Sequence, residues 1–506
     1  MFFESRVGAL TEATGGRRWN PTDVVREVDR RVRRYTQRGL SRGDRVFLHF
    51  GNRLEFFAEL LAVWRLGGCV IPIDSRLTPF ELENLVRTAS PRFSVTDDGT
   101  APDVVRALAA AGVDVLETTD TAGDDGPLLP GRSRLDDDAL ILFTSGSTGN
   151  PKGVVHTHRS LLARWTTLRQ SLGLEVFART LCLLPTHFGH GLICNALYPW
   201  LAGQDLFITP PFRPDLIMRL GALLDEHRIT FMSSVPSVWR VALKMARPPR
   251  ESTLRRVHVG SAPLSASLWE DIRTWSGTRE VLNAYGITET GSWVAGTTGG
   301  DFTPEDGLVG EGWGSVLQIR RTADTTAPFG SDTDCAVGET GYVWLKTPAL
   351  MKGYFDRDDL TDQVVVDGWF MTGDIGLLDE RGRLYLRGRE RDEINKGGLK
   401  IYPADVDAVV ERFDRASDVC AFALDDPAYG QNVGIAVVLA DHEDATVRDL
   451  HQWMKRHLAE HKMPVRWFLV DEIPRTSRGK VNREAVKKAC DELTPFDLAR
   501  LGAPAR

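Results

Sequence analysis

The sequence predicts an α/β protein. We expect a large N-terminal domain of parallel sheets with flanking helices plus a small β-barrel, and a small mobile α+β C-terminal domain. Short apolar segments alternate with amphipathic segments, which is typical of parallel sheets covered on both faces. Short glycine-rich strands over residues 310–388 indicate the barrel. The last ~115 residues are enough for a domain that folds alone.

The first predicted helix begins at Asn20 and Pro21, because asparagine caps helices and proline fits the first helical position. Val24 and Val28 follow at helical spacing, and Gly39 ends the helix. The next predicted elements are strand 46–48, helix 53–66, strand 70–73, a helix from Thr78 and strand 93–96. Residues 118–138 are polar and acidic, and we expect a solvated loop there.

The same alternation continues through the rest of the chain. Its predicted elements are helix 161–172, strands 181–185, 229–232 and 256–259, helix 404–413, strands 419–424 and 433–440, helix 447–458, strand 467–470 and helix 482–490. A strongly charged stretch at residues 388–392 separates the two patterns. We therefore expect a large domain over 1–388, a hinge over 389–392 and a small domain over 393–506.

The composition excludes several classes of protein. A formal charge of −7 gives no nucleic-acid footprint. The six cysteines include no CxxC pair, which favours reduced thiols over a zinc site or a disulfide framework. No apolar run approaches the ~20 residues of a membrane helix, and the N-terminus lacks the core of a signal peptide. We expect a cytoplasmic protein that binds neither nucleic acid nor membrane.

One stretch, residues 144–154, carries the densest chemistry of the chain. It combines three glycines, four hydroxyl residues and Lys152, directly after the apolar run 139–143. Glycine turns backbone N–H groups inward, and hydroxyls and an ammonium add donors and charge, which suits a triphosphate. It is not a Walker A loop, because Pro151 stands where that loop has glycine. A glycine-rich linker is the alternative, but such linkers do not usually follow an apolar strand directly.

The chain resembles the adenylate-forming superfamily, which contains acyl- and aryl-CoA synthetases, adenylation domains and luciferases. The resemblance covers nearly the whole length and depends on several motifs in the same order. These motifs lie at residues 144–154, 260–264, 285–289, 338–341, 368–374, 388–398 and 474–480. The family joins a carboxylate to AMP and passes the acyl group to a second nucleophile. The resemblance therefore implies an ATP-dependent acid ligase that uses Mg²⁺, with CoA as co-substrate.

The resemblance assigns three residues to catalysis. Lys480 bridges the attacking carboxylate and the α-phosphate, Thr288 contacts the α-phosphate, and Glu289 binds Mg²⁺, which takes carboxylate and phosphate oxygens. Such groups neutralise the charge that builds up in the transition state.

The resemblance also assigns a set of residues to ATP. Tyr285 stacks on adenine, Asn283 contacts its edge, and Asp374 and Arg389 hold the ribose. Ser261 stands where many relatives have glycine. The whole set is Thr144, Ser145, Gly146, Ser147, Thr148, Gly149, Lys152, Ser261, Ala262, Asn283, Ala284, Tyr285, Gly286, Asp374 and Arg389.

Lys480 lies in a different predicted domain from the stretch at residues 144–154, which is predicted to bind phosphates and which we call the phosphate loop. The resemblance implies that the small domain rotates between half-reactions about a hinge at Arg391, where relatives more often have Asp or Lys. The turn Gly397-Gly398 then lines an acceptor channel, with Gly398 leaving room for an incoming chain. The alternative is that these two glycines only form a tight turn.

The acid pocket is predicted from its place after Gly286, between strand ends. Its candidates are His187, Phe188, Gly189, His190, Val235, Gly260 and Trp293, with Ser234, Thr290 and Trp313 nearby. The aspartate that holds the ammonium group in amino-acid-activating relatives is absent, which disfavours an ordinary α-amino acid. Histidines beside aromatic residues suit a planar aromatic or heteroaromatic acid. Each histidine can equally be an ordinary strand-end residue.

The acceptor of the acyl group stays open at this point. CoA is favoured by the stretch 397–403 and by the commoner use of these motifs. A free amine, as in amide synthetases, and a carrier protein are the alternatives. A non-catalytic nucleotide sensor is disfavoured because Lys480 and Glu289 are both present. Luciferase-like oxidation needs a special substrate.

Overall fold

The computed structural model describes residues 7–121, 131–144, 152–210, 213–251, 253–330, 332–396, 399–427, 429–476 and 480–498. For Thr144 and Lys400 it describes the backbone alone. Within these residues the chain is an α/β protein with three sheets, and the predicted fold class is confirmed.

The strands of the first half of the chain bracket the phosphate loop and build the parallel part of the fold. They are β1 Leu10–Glu12, β2 Arg18–Trp19, β3 Arg45–Leu48, β4 Cys69–Pro72, β5 Phe93–Thr96, β6 Asp114–Glu117, β7 Asp138–Thr144, β8 Lys152–Thr157, β9 Arg179–Cys182, β10 Asp205–Ile208, β11 Phe231–Ser234, β12 Arg256–Gly260 and β13 Val281–Ile287.

The strands of the second half are mostly antiparallel. They are β14 Ser292–Gly296, β15 Leu308–Gly312, β16 Val316–Arg320, β17 Gly341–Lys346, β18 Gly353–Tyr354, β19 Val365–Val366, β20 Trp369–Leu378, β21 Leu384–Arg389, β22 Ile394–Lys396, β23 Leu399–Ile401, β24 Ala416–Asp426, β25 Gly430–Leu439 and β26 Arg466–Leu469.

The helices cover the faces of the sheets. They are α1 Pro21–Gln37, α2 Leu54–Arg65, α3 Pro79–Ala89, α4 Pro102–Ala110, α5 His158–Leu172, α6 Tyr198–Leu201, α7 Pro214–Met218, α8 Leu220–Glu226, α9 Pro236–Met245, α10 Ala266–Ser276, α11 Asp358–Asp362, α12 Pro403–Val410, α13 Asp444–His457 and α14 Arg483–Asp491. A π-helical segment at His190–Leu197 and short 3₁₀ turns, among them Thr288–Thr290 and Glu390–Asp392, complete the set.

The elements predicted between residues 20 and 96 are present with nearly the same bounds. Asn20 caps α1 as expected: its side chain accepts from the N–H of Asp23, and the Asp23 carboxylate accepts from the N–H of Asn20. α4 and β6 had no prediction, although α4 buries Val104 and Leu108, which lie four residues apart on one face.

A seven-stranded sheet carries the phosphate loop. Its order is β18-β8-β7-β4-β3-β5-β6, with parallel pairing from β7 to β6 and antiparallel pairing at β7-β8 and β8-β18. Thr144 at the end of β7 is the pairing partner of Lys152 at the start of β8. The two ends of the phosphate loop are therefore held side by side.

A second, larger sheet gathers the motifs of the middle of the chain. Strands β10, β9, β11, β12 and β13 are parallel neighbours in that order. Gly260, the last residue of β12, is the pairing partner of Ala284 in the middle of β13. Since the carboxyl ends of parallel strands meet at one edge, Ser261 and the turn Thr288–Thr290 lie along the same edge.

The strands predicted as a small barrel extend this larger sheet. They continue it as antiparallel partners in the order β14-β15-β21-β20-β17-β16, with β19 beside β20. Within the described residues, β16 pairs with β17 on one edge, and on its other edge Arg320 forms an isolated antiparallel bridge with Asp334. Asp374 on β20 and Arg389 on β21 are directly paired by this ladder.

The third sheet belongs to the C-terminal part of the chain. It has the order β23-β22-β25-β24, with β26 parallel to β25, and helices α12, α13 and α14 pack on it. Its core cluster, which includes Ile394, Val406 and Trp467, contains residues from 394 onward only. This part therefore has a hydrophobic core of its own.

Two ion pairs among the described residues join this part to the rest of the chain. In one pair the C-terminal part supplies the anion, and in the other it supplies the cation. Glu411, at the end of α12, pairs with Arg240 of α9, and the next residue, Arg412, pairs with Asp306. The side chains of Arg240 and Glu411 are 24% and 22% exposed, so their charges are only partly screened by water. We call these two pairs the interdomain latch.

We predict that Arg240→Glu lowers the rate of the first half-reaction by ~3- to 10-fold. A like-charge contact then replaces a partly buried ion pair, which disfavours the orientation in which the C-terminal part lies against the rest of the chain. The double variant with Glu411→Arg restores the pair with reversed charges and is expected to recover most of the loss. Single-turnover formation of the adenylate measures both. A double variant no better than Arg240→Glu would show that the latch has no role in this orientation.

Candidate active site

The strands β7 and β8, which flank the predicted phosphate loop, lie within the described residues. The predicted contacts of that loop, Ser145, Gly146, Ser147, Thr148 and Gly149, lie outside the described residues, as does the side chain of Thr144. Lys152 is half-buried, and its ammonium lies 5.4 Å from the centre of the Tyr354 ring. The Lys152 ammonium therefore lies near β18, the strand that pairs with β8 in the sheet although it is far from β8 in the sequence.

Glu289 is held by the hydroxyl of Tyr354. The Tyr354 hydroxyl donates to Oε1 of Glu289 at 2.8 Å, and the Glu289 carbonyl accepts from the N–H of Met351 at 2.7 Å. Burial and the nearby Glu289 carboxylate raise the pKa of Tyr354, which therefore stays a donor. Tyr354 thus contacts both the predicted metal ligand and the loop lysine.

The turn that carries Thr288 and Glu289 is anchored from two sides. His156 of β8 is buried, which lowers its pKa to about 4, so the neutral ring donates from Nε2 to the Thr288 carbonyl at 2.7 Å. Arg164 of α5, also buried, donates from Nε and Nη2 to the Thr290 carbonyl at 3.2 and 3.1 Å. The position of the Glu289 carboxylate is therefore set by buried contacts.

The donor set at this turn fits Mg²⁺. No group of three or more His, Cys, Asp or Glu side chains placed to hold a metal occurs in the described part of the chain. Glu289 thus offers one carboxylate, which is the usual protein share where phosphate oxygens and water complete the octahedron.

We predict that Tyr354→Phe raises the Mg²⁺ concentration needed for half-maximal activity by ~3- to 30-fold, because Glu289 loses the donor that orients it. The fold is expected to persist, since the ring is retained. A Mg²⁺ titration of pyrophosphate release measures the change, with Tyr385→Phe, on the exposed side of β21, as the matched control. Unchanged Mg²⁺ dependence would remove Tyr354 from the metal site.

Asp374 lies at the centre of a buried cluster. It is 4% exposed, its Oδ2 accepts from the hydroxyl of Tyr285, and its Oδ1 lies 2.9 Å from Nε of Arg389. Burial and Asp374 raise the pKa of Tyr285 well above its usual value, while Asp374 raises the pKa of Arg389. An ionised carboxylate has about four lone-pair sites, so two remain for the predicted ribose hydroxyls.

The predicted adenine contacts lie on β13 and beside it. Asn283 donates from Nδ2 to the Leu308 carbonyl at 2.7 Å, so its amide links β13 to β15. At Gly286 a Cβ would lie 2.0 Å from the Ser292 carbonyl oxygen, which requires glycine. Ala284 is buried, and Ala262 is half-buried beside Ser261.

Ser261 has the left-handed backbone that glycine usually takes, with φ at +66°. Its Oγ lies 2.8 Å from Nδ1 of His190, and Nε2 of His190 lies 2.6 Å from Oγ of Ser233. Ser233 in turn donates to the His258 carbonyl at 3.3 Å. The Ser233 hydroxyl therefore accepts from Nε2–H, and Nδ1 accepts from the Ser261 hydroxyl.

His190 is consequently a neutral bridge and has no ring nitrogen left for a substrate. Burial and the charge of Lys480 lower its pKa to about 3. It joins the acid-pocket residues predicted around it to Ser261, which is a predicted nucleotide contact. Because two serines occupy both ring nitrogens, His190 can line the predicted acid pocket only with its ring surface, and that role stays a prediction.

The other predicted acid-pocket residues separate into two groups. His190 lies against Gly260, Trp293 and Phe188: a Cβ on Gly260 would lie 3.5 Å from its ring, and the other two rings are 5.6 and 6.2 Å away. Gly189 is buried nearby.

His187 and Val235 belong to the second group. His187 faces Asp74, with Nε2 3.4 Å from Oδ2. Val235 packs in the core cluster of Leu184 and Leu264, whereas Trp293 belongs to another cluster. Sequence order alone does not say to which cluster a strand-end residue belongs.

Lys480 reaches this site from the C-terminal part of the chain. The Lys480 carbonyl accepts from the N–H of Thr476 at 2.8 Å, and its N–H donates to Oγ1 of Thr476 at 3.2 Å, which closes a turn. The Lys480 charge is close enough to His190 to lower its pKa. Arg391 is exposed in the turn Glu390–Asp392, and Gly397 and Gly398 lie outside the described residues, so the hinge and the channel remain predictions.

Four contributing residues were not predicted from the sequence: Tyr354, His156, Arg164 and Ser233. None lies within the quoted motifs. Tyr354 follows Gly353, and His156 lies two residues beyond the phosphate stretch, but neither spacing indicates a contact. Only the pairing of β8 with β18 and with β7 brings them to the site.

Comparison with known proteins agrees with this geometry. The AMP-binding enzyme family matches residues 7–355, and the AMP-binding enzyme C-terminal domain matches residues 405–480. The chain therefore belongs to the AMP-binding enzyme family.

Individual relatives match over most of their length. The chain is 28% identical to the long-chain-fatty-acid–CoA ligase FadD13 of Mycobacterium tuberculosis, over 91% of each chain. It is 29% identical to the 2-succinylbenzoate–CoA ligase of Bacillus licheniformis, over 91% of this chain and 92% of that one. ATP-bound MatB from Rhodopseudomonas palustris superposes with a TM-score of 0.86 at 26% identity, over 96% of this chain and 97% of that one.

No helix within the described ranges is long and apolar enough to cross a membrane.

Proposed function

We propose that the chain is an AMP-forming acid–CoA ligase, which converts a carboxylic acid to an acyl-adenylate with ATP and then transfers the acyl group to the thiol of CoA. The observation that carries this proposal is the buried cluster of Asp374 with Tyr285 and Arg389, together with Glu289 held by Tyr354. The charge of Lys480, from the C-terminal part of the chain, acts on His190, which contacts Ser261.

In the first half-reaction, a carboxylate oxygen forms a bond to the α-phosphorus and the bond to pyrophosphate breaks. The residues position two anions against each other and neutralise the charge that develops. We assign Lys480 and the Thr288 hydroxyl to the reacting oxygens, and the loop with Lys152 to the outer phosphates. Mg²⁺ bound at Glu289 supplies further positive charge to the phosphate oxygens. Tyr285, Asp374 and Arg389 hold the nucleoside.

In the second half-reaction, the CoA thiol attacks the acyl carbon, and AMP leaves. We propose that the small domain, 393–506, rotates about Arg391 in the hinge 389–392 relative to residues 1–388, which withdraws Lys480. Gly397 and Gly398 then border the channel for the pantetheine arm. The relatives whose names state CoA ligation support CoA as acceptor.

The acid is proposed to be planar, because the rings of Phe188 and Trp293 lie 6.2 and 5.6 Å from His190, where the acid pocket is predicted, and such rings suit a planar group. The six free cysteines fit a reducing, cytoplasmic compartment.

The test is ATP–pyrophosphate exchange with a panel of carboxylic acids, followed by product analysis with CoA and with amines. We expect acid-dependent exchange, and a thioester as the product when CoA is present. Amide in place of thioester would identify a free amine as the acceptor and contradict the CoA proposal. Transfer to a carrier protein alone would contradict it as well. Glu289→Gln serves as the adenylation-deficient control.

A further inference from the structure

A closed group of rings lies behind His190, made of Phe231, His258, Trp293 and Trp313, which we call the aromatic floor. The Trp293 ring is 5.6 Å from His190 and 4.5 Å from His258, and His258 is 4.9 Å from Phe231 and 5.4 Å from Trp313. The exposed fractions of these floor residues are 0% or 1%. Rings in such contact fill the space between them at the density of a protein core.

The path from the reacting groups to the floor is short. Gly260 and Gly286 leave only backbone at the edge where Ser261 and Thr288 begin, and His190 packs directly on Gly260. Lys480 is near enough to His190 for its charge to act on that ring. Gly286, two residues before Thr288, is the pairing partner of Trp293 on β14, and the Trp293 ring is 5.6 Å from His190. A carboxylate that reacts beside Thr288 and Lys480 therefore has little depth before it meets His190 and Trp293.

Buried contacts hold Trp313 of the aromatic floor in place. The carbonyl of Trp313 accepts from Nη1 of the buried Arg164 at 3.0 Å. The Trp313 ring packs on Gly296, where an added Cβ would lie 2.2 Å from a ring atom. Trp313 cannot swing away without breaking buried contacts, so Trp293 and His258 have no space to retreat into.

We infer that the acid pocket ends at the aromatic floor, and that the substrates of this enzyme are short acids, no deeper than a single aromatic ring or a few carbons. The inference depends on the proposed function, because it places the carboxylate at Lys480. A longer acid has to displace Trp293 into a filled core, which disfavours its binding.

The test is ATP–pyrophosphate exchange with two acid series: acetate, butyrate, hexanoate and decanoate, and benzoate against biphenylcarboxylate. In the unmodified protein, kcat/KM for decanoate and biphenylcarboxylate is expected to be ~100-fold or more below that of the best short acid. Trp293→Ala opens the floor and is expected to raise kcat/KM for the long acids, relative to the short ones, by ~10-fold or more. Trp293→Phe keeps an aromatic ring in the floor and is expected to change the ranking far less than Trp293→Ala.

Trp269→Ala is the matched control, since Trp269 is 0% exposed but lies in the other core cluster. It is expected to lower stability without changing the ranking of acids. If Trp293→Ala does not fold, Trp293→Leu opens the floor by a smaller volume and replaces it.

Two outcomes overturn the inference alone. One is equal use of long and short acids by the unmodified protein, and the other is an unchanged ranking in a folded Trp293→Ala or Trp293→Leu variant. Both leave adenylation intact and so leave the proposed function standing. No exchange with any acid would overturn the proposed function, and the inference with it.

Discussion

Lys480→Ala is expected to lower acid-dependent pyrophosphate release by ~10²-fold or more, the loss that follows removal of one preorganised charge stabiliser. The backbone of Lys480 is held by the Thr476 turn, and its charge acts on His190, so the lysine belongs to the edge that carries the predicted reacting groups. Transfer from a supplied acyl-adenylate is expected to stay largely intact, because the proposed rotation withdraws Lys480 from the second half-reaction.

The control for this experiment is Lys488→Ala, which removes an exposed lysine of α14 in the same part of the chain. It is expected to leave both half-reactions unchanged. Equal loss of both half-reactions in Lys480→Ala would contradict the assignment of this residue to adenylation.

Asp374→Ala is expected to weaken ATP binding by on the order of 1–3 kcal/mol, or roughly 5- to 150-fold. The carboxylate accepts from Tyr285 and pairs with Arg389, so its removal leaves two protein donors as well as the ribose hydroxyls without their acceptor. Calorimetric titration with ATP measures the loss. Dideoxy-ATP, which lacks the ribose hydroxyls, is expected to bind the Asp374→Ala variant with nearly the same affinity as ATP does.

Two variants separate the ribose contribution from the buried cluster. Tyr285→Phe removes the phenol donor and retains Asp374, and Asp362→Ala removes an exposed carboxylate elsewhere. Asp362→Ala is expected to bind ATP normally. If dideoxy-ATP binds the Asp374→Ala variant far more weakly than ATP does, the hydroxyls are held by other residues.

The sequence by itself determined the fold class and the chemistry. Local patterns specify elements, as the Asn20 cap and Pro21 did for α1, because capping and periodicity act within a few residues. The motifs around Thr288, Glu289 and Asp374 likewise determined the adenylate-forming class, since each carries its residue types in one short stretch.

The tertiary structure alone decided which side chains meet. Tyr354 binds Glu289 across 65 positions, and Ser261 and Ser233 bind His190 across 71 and 43. Sheet order brings these groups together, and periodicity along one strand does not say which strand lies next to it. The same reason explains why His187 faces Asp74, why Val235 packs in another cluster, and why the serines engage both nitrogens of a neutral His190.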